Sequence, residues 1–333
     1  MDSTPVRTTL RPTLAEVARH AGVSTATASR VLNRSAPVSE RVAAAVEAAA
    51  AELGYVRHRA PSGGARQTGA VAVVVFDSLA QLTTDTFHAR VLRGAERELS
   101  RTGHELAVLT APRGSRRPAL AHYLCSGHVD GVLLVGLHGD DHSLPRVLQA
   151  AGVPVQCIGR PLGAAGLLYV DADNVGGAAE AVAHLLRSGR KAVATIAGPQ
   201  DMAVGTDRLA GYRRAVAGTQ EIVAYGDFGA ASGEHAMLRL LDRRPKLDAV
   251  FAASDAMAAG ALRALRRLGV RVPGDIAVVG FDDAVVAQRT SPQLTTVRQA
   301  VEEMGARAAS ALVRREPTAP VVLGTRLVVR ESA

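Results

Sequence analysis

From Ala70 onward, short apolar runs alternate with Ala- and Leu-rich stretches of helical period: VAVVVF, ELAVLT, GVLLVG, VPVQCIG, AVATIAG, EIVAYG, AVFAAS and IAVVGF are the runs. A strand apolar at consecutive positions is buried on both faces, and this happens when a parallel sheet is covered by helices on each side. The pattern therefore predicts a doubly wound α/β fold. Ligands in such sheets lie beyond the carboxyl ends of the strands. Polar or special residues stand there: Asp77, Gly159-Arg160, Gly198-Pro199, Phe228, Ser254-Asp255 and Asp282-Asp283.

The chemistry of enzymes is missing from the pattern. No GxGxxG and no Walker lysine follows the first strand, which disfavours dinucleotide and nucleoside-triphosphate enzymes. The glycine pair of NVGGAAEAV reads more simply as a helix brought close to a sheet. No HExxH, GxSxG or paired-carboxylate spacing organises the ten His residues. We expect no catalytic residue, no cofactor and no metal site. Cys125 and Cys157 have no metal spacing and read as two buried thiols of a reducing cytosol. With no apolar leader and no run of ~18 apolar residues, a cytoplasmic protein with no membrane partner is expected.

The first sixty residues are of another kind. Thr13 followed by Glu16 has the capping-box spacing, and Leu14, Val17, Ala18 and Ala21 share one helical face. Gly22 permits a tight turn. Ser24 caps a second helix, TATASRVLN, with Ala28, Val31 and Leu32 inward and Thr25, Ala26, Ser29, Arg30 and Asn33 outward. A third helix begins at Ser39, with Val42, Val46, Ala49 and Leu53 on one side. Two short helices joined by a three-residue turn and backed by a third make a helix-turn-helix. The outward face of the second is short, polar and carries one Arg able to pair with a guanine edge. Residues 1–66 hold nine Arg against five acidic residues, so half of the net +8 sits in one fifth of the chain. That balance suits nucleic acid, although the Arg and Ala richness also reads as genome composition bias.

The string TLAEVARHAGVSTATASRVLN, continued by VSERVAAAVEAAAAELGYV, closely resembles the head of the LacI/GalR family of bacterial transcription regulators. The resemblance continues through VDADNVGGAAEAVAHLLRSGRKAVATIAGP, RLAGYRRAV, YGDF, AVFAASDAMAAGALRALRRLGVRVPGDIAVVGFDD and SPQLTTVRQ. It implies a helix-turn-helix head at 1–56, a hinge at 57–68 and an effector-binding and dimerisation domain at 69–333. The last would hold two doubly wound subdomains, about 69–170 and 171–296, similar to periplasmic sugar-binding proteins, with a tail completing both. Thr25, Ala26 and Arg30 then fall at base-reading positions, and Ser24, Thr27, Ser29 and Asn33 at phosphate contacts, with Thr13 also on the DNA-binding head. Arg208 matches an effector-contacting Arg, Asp282 an acceptor of ligand hydroxyls, Phe228 an aromatic platform and Ser254 a polar contact. Arg160 and Asp77 are further effector-site candidates. The implied function is a repressor of a double-stranded DNA operator, controlled by a small effector between the subdomains, a sugar in preference to a purine.

Each assignment has an ordinary alternative. Asp255 reads as the cap of the helix MAAGALRAL. Arg208 pairs either with ligand or with Asp207 or another carboxylate, and Phe228 is either platform or core. Between Gly54 and Ser78 there is no Leu, and Pro61 with Gly63-Gly64 disfavours a hinge helix. The segment reads equally as a phosphate-tracking arm or a solvated tether. No heptad helix follows RLVVR, so a homodimer is expected.

Overall fold

The computed structural model describes residues 13–33, 38–53, 55, 68–79, 82, 86–112, 118–139, 143–163, 166–244, 246–314 and 319–333. The hinge expectation, 57–68, lies outside these residues except for Thr68. Contacts divide the chain into two units, 1–65 with 118–127, and 66–117 with 128–333.

The head comprises α1 (Leu14–His20), α2 (Thr25–Asn33) and α3 (Glu40–Glu52). Thr13 caps α1: its hydroxyl accepts from the Glu16 amide, and the Glu16 carboxylate accepts from the Thr13 amide at 2.6 Å. Such a cap contributes about 1 kcal/mol. The Thr13 amide and hydroxyl, both donating to the Glu16 carboxylate, hold its carboxyl below its ordinary pKa. Gly22 adopts φ +66° in the turn. Val17, Ala18, Ala28, Val31, Val46 and Ala49 form the core. Two of its six members, Ala18 and Ala28, are small enough to let α1 and α2 approach closely. His20 meets Glu52 at 2.9 Å and ties the first helix to the third.

The α/β unit runs β1 (Ala70–Val75), α4 (Thr86–Arg101), β2 (Glu105–Thr110), β3 (Gly131–Val135), α6 (Ser143–Ala150), β4 (Val155–Ile158) and β5 (Leu168–Ala172); α5 (Pro118–Cys125), which falls between β2 and β3 in the chain, belongs to the first unit. It continues through α7 (Asn174–Arg187), β6 (Val193–Ala197), α8 (Ala203–Ala215), β7 (Val223–Tyr225), α9 (Ala230–Arg243), β8 (Ala249–Ala252), α10 (Asp255–Arg267), β9 (Ala277–Asp282), α11 (Val285–Arg289) and β10 (Thr295–Arg298). It ends in α12 (Val301–Arg314), β11 (Val321–Leu323) and β12 (Arg326–Val328). One sheet has the order β11-β5-β4-β3-β1-β2, the other β12-β10-β9-β8-β6-β7. Pairing is parallel except where β12 runs antiparallel to β10. The chain thus passes between sheets three times, after β5, after β10 and between β11 and β12.

Burial explains the continuous apolar runs. In β8, Val250 and Ala252 face Met237, Leu240 and Met257 on one side, while Ala249 and Phe251 face Val182, Leu185 and Tyr212 on the other. In the first sheet, Val71, Val73, Val75 and Leu133 pack on Val91 and Leu99 of α4 and on Met304 and Leu312 of α12. Helices α4 and α12 cross at glycines: a Cβ on Gly94 would lie 1.9 Å from the Glu302 carbonyl oxygen, and one on Gly305 would lie 2.2 Å from that of Val91. Gly177 likewise lets α7 reach its sheet, where a Cβ would stand 2.6 Å from Thr325 Oγ1.

The eight apolar runs do not include β5 or β10. LYVDA and TTVR each carry polar residues that a both-faces-buried pattern rejects. The structure satisfies them with bonds: Asp171 with backbone amides, and Thr296 with a buried carboxylate. Among the described residues, no helix is long and apolar enough to cross a membrane.

Candidate functional site

Two surfaces carry the candidate residues. On the head, the Ser24 hydroxyl accepts from the Thr27 amide at 3.1 Å and meets Thr27 Oγ1 at 2.8 Å, closing the first turn of α2. Ser24, Thr25, Ala26 and Arg30 are exposed, Thr27 and Ser29 half-buried, and Ala28 and Val31 face inward. Asn33 is the last residue of α2. A helix start with hydroxyls, and a guanidinium one turn on, suits a groove lined by phosphates and base edges.

In the α/β unit the carboxyl edges of the two sheets face each other. His138 Nδ1, beyond β3, lies 3.0 Å from the Asp201 carboxylate beyond β6, and the Gly139 amide donates to the Asp201 carbonyl at 2.7 Å. Arg160, beyond β4, donates to both carboxylate oxygens of Asp207 on α8 at 2.7 and 2.9 Å. These contacts make the facing edges a seam.

Arg208 lies at the base of that seam with 3% of its surface exposed. Its Nε donates to Asn174 Oδ1 at 2.9 Å, and its Nη1 donates to the Ala253 carbonyl at 2.5 Å and lies 3.2 Å from Asp282 Oδ1. The guanidinium stacks 3.7 Å from the Phe281 ring centre and 5.9 Å from that of Phe228. Burial lowers its pKa, and the carboxylates of Asp282 and Asp171 oppose that shift. The carboxylate beside Arg208 is that of Asp282, while Asp207 pairs with Arg160.

Around Arg208 the candidates other than Asp77 form one connected network. Asn174 Nδ2 donates to Asp171 Oδ1 at 2.9 Å, and the Arg160 amide donates to Asp171 Oδ2 at 2.9 Å. Gln299 Nε2 donates to Asp282 Oδ1 at 2.6 Å. The Ser254 hydroxyl donates to the Phe228 carbonyl at 3.0 Å. Phe228 is half-buried, its ring against Gly198 and the edge of the core. Asp77 lies on the opposing edge, its Oδ2 3.3 Å from His88 Nε2. Asp171, Asn174 and Gln299 were not among the candidates. The VDADN segment held two of them in plain view, but nothing in its spacing marks a ligand.

Asp255 departs from expectation. The cap of α10 is Ser254, whose hydroxyl accepts from the Met257 amide. Asp255, one residue further in, is fully buried, accepting from Thr296 Oγ1 at 2.5 Å and the Ala284 amide at 2.7 Å. Burial and the neighbouring Asp282 charge push its carboxyl well above its ordinary pKa. Capping preference fits either residue, and the chain turns one position earlier than read.

Among the described residues, three non-glycine residues adopt left-handed φ: Phe228 at 69°, Asp282 at 117° and Asp283 at 48°. Such conformations are unfavourable and persist where surrounding bonds hold them. All three flank the seam.

Comparison with known proteins fits both surfaces. The model of the bacterial regulatory proteins of the lacI family matches residues 13–58, and that of the periplasmic binding protein-like domain matches 182–333. The HTH-type transcriptional regulator CelR of Thermobifida fusca is 47% identical over 97% of this chain and 98% of its own length. The ribose operon repressor of Escherichia coli K12 is 35% identical over 92% and 94%. Among solved structures, the CelR–cellobiose complex superimposes with TM-score 0.77 at 47% identity, over 97% of this chain and 100% of that one. The lac repressor dimer bound to operator and the anti-inducer ONPF gives 0.70 at 28% identity, over 97% and 99%. A capped helix-turn-helix, two facing parallel sheets and full-length likeness lead to one assignment: the chain belongs to the lacI family of bacterial regulatory proteins and is a DNA-binding transcription regulator.

Proposed function

We propose that the chain is a cytoplasmic, non-catalytic repressor that acts as a homodimer on a near-palindromic operator and is controlled by a neutral sugar, with cellobiose the first to test. The working division is a reading head at 1–56, a hinge at 57–68 and a control domain at 69–333. Thr25, Ala26 and Arg30 read bases, and Thr13, Ser24, Thr27, Ser29 and Asn33 serve the phosphate side. Asp77, Arg160, Arg208, Phe228, Ser254 and Asp282 receive the effector.

The carrying observation is the Arg208–Asp282 pair beside the Phe228 ring at the facing edges. A charged donor, a charged acceptor and an aromatic face suit a polyhydroxyl ligand, since charge-assisted bonds to hydroxyls are the stronger kind. Cellobiose is chosen because the CelR structure is a cellobiose complex. The homodimer draws support from β2, an edge strand whose Val108 is 42% exposed, while its neighbour β1 is buried at five of six positions. An exposed apolar edge is a pairing surface.

Operator fragments selected from random DNA, followed by anisotropy titration with and without cellobiose, ribose or a purine base, test the reading. The expected result is salt-sensitive specific binding that cellobiose alone changes. A response to the purine base alone would replace the sugar, and no specific fragment would end the operator reading.

A further inference from the structure

We propose that Arg90, on α4 of the first subdomain, is a positioning residue that holds Asp282 of the second in its effector-receiving conformation. The proposal rests on the reading of Asp282 as an effector contact.

The geometry begins at the glycine crossing of α4 and α12, which brings the start of α12 against the side of α4. There Arg90 Nε donates to Glu302 Oε1 at 2.9 Å and Nη2 to Oε2 at 3.0 Å, a forked pair within the first subdomain. A fork that binds one carboxylate along one edge leaves its other terminal nitrogen aimed elsewhere. Here Nη1 donates to the Asp282 carbonyl at 2.9 Å, and Nη2 also reaches the Gln299 carbonyl at 3.4 Å. Gln299 in turn donates to Asp282 Oδ1. One guanidinium therefore fixes both the main chain of Asp282 and the residue that orients its carboxylate. The Arg90 side chain is 16% exposed, so water competes little for these bonds.

Asp282 needs such holding. Its φ of +117° is one that side-chain-bearing residues rarely adopt. A carbonyl fixed from outside, with a carboxylate fixed by Arg208 and Gln299, over-determines that conformation. Lysine at 90 could keep the Glu302 pair but not the fork, because an ammonium is a point charge. The first subdomain thereby acts on the aspartate through a residue that need not touch ligand.

The test uses Arg90→Gln and Arg90→Lys in the full chain. With cellobiose as probe, calorimetry is expected to show at least tenfold weaker binding for Arg90→Gln and an intermediate loss for Arg90→Lys. In the ligand-free protein, the amides of Asp283 and Ala284 should exchange at least tenfold faster in Arg90→Gln, while those of β1 and β8 are unchanged. Exchange unaltered at 283–284, or accelerated throughout both sheets, overturns the proposal. If the parent chain gives no heat with cellobiose, the effector reading fails on its own, and the exchange measurement still decides for or against Arg90.

Discussion

Replacing Arg208 by Met is the perturbation that separates a merely effector-contacting residue from one that also supports the fold. On the sequence Arg208 pairs either with ligand or with a carboxylate, and only the second makes it part of the fold. In the structure it is 3% exposed and bonded to Asn174, Ala253 and Asp282. Met fills much of the volume, so the cavity contribution is small. What remains is an Asp282 carboxylate without its cation and two acceptors without their donor. Removing one partner of a buried pair costs about 3–5 kcal/mol, and an orphaned acceptor about 1–3 kcal/mol. These overlap around one side chain, so about 3–5 kcal/mol is the expected total. For units of this size each kcal/mol moves Tm by about 2–4 °C, which places the variant roughly 6–20 °C below the parent. Differential scanning calorimetry reads this directly. Asp282→Asn should cost less, because the Asp171 carboxylate still faces Arg208, and the double variant should cost less than the sum of the two. An Arg208→Met shift under about 3 °C would refute the reasoning, for the guanidinium would then contribute no more than a surface group.

Four further outcomes follow. Arg30→Ala should weaken specific operator binding by about 1–3 kcal/mol and relax one base pair per half-site, whereas Thr27→Ala weakens all sequences alike; equal loss of specificity in anisotropy titrations would reassign the face of α2. Thr13→Ala removes the capping box and should lower head stability by about 1 kcal/mol, read as helix loss by circular dichroism of the full chain on heating; no change would mean that solvent replaces the cap. Asp255 has a raised folded pKa, so its contribution to stability is full below the ordinary carboxylate value and is lost as pH rises through the folded value. Asp255→Asn, with its amide turned toward Thr296, should therefore flatten the fall in Tm as pH rises above the ordinary carboxylate range, and parallel Tm curves would count against a buried neutral acid. Val108→Asp on the exposed edge of β2 should shift the protein toward monomer in light scattering at micromolar concentration, and an unchanged mass would move the dimer contact elsewhere.

How much of this was legible in the sequence depends on what each residue's signal is local to. The strands with both faces buried announce themselves, because every position obeys one rule: Val250, Phe251 and their neighbours are apolar whichever way they point. β5 and β10 break the rule for reasons that lie outside each strand, since Asp171 answers to Arg160 and Asn174, and Thr296 to Asp255. The head was readable in detail because its caps and turn act within five residues and its apolar faces repeat at helical spacing, even though its core joins Val17 and Ala18 to Val46 and Ala49. At the site, Arg208 and Asp282 were named, but their pairing with each other and their burial were not, as no spacing relates positions 208 and 282. Asn174, Gln299 and Arg90 carry no mark at all until the fold brings them together.

The three passages between the sheets have a consequence for how the chain is made. The first subdomain takes α12 and β11 from residues 301–323, and the second takes Ser332, whose hydroxyl bonds the Val278 carbonyl in a fully buried position. Neither core is closed until residues 301–332 have been synthesised. The head, by contrast, is whole once residue 53 has emerged. At about 5–20 residues per second on the ribosome, the reading part precedes the controlling part by some tens of seconds. A nascent chain, or one trimmed after residue 300, would carry a finished reader and an unfinished regulator.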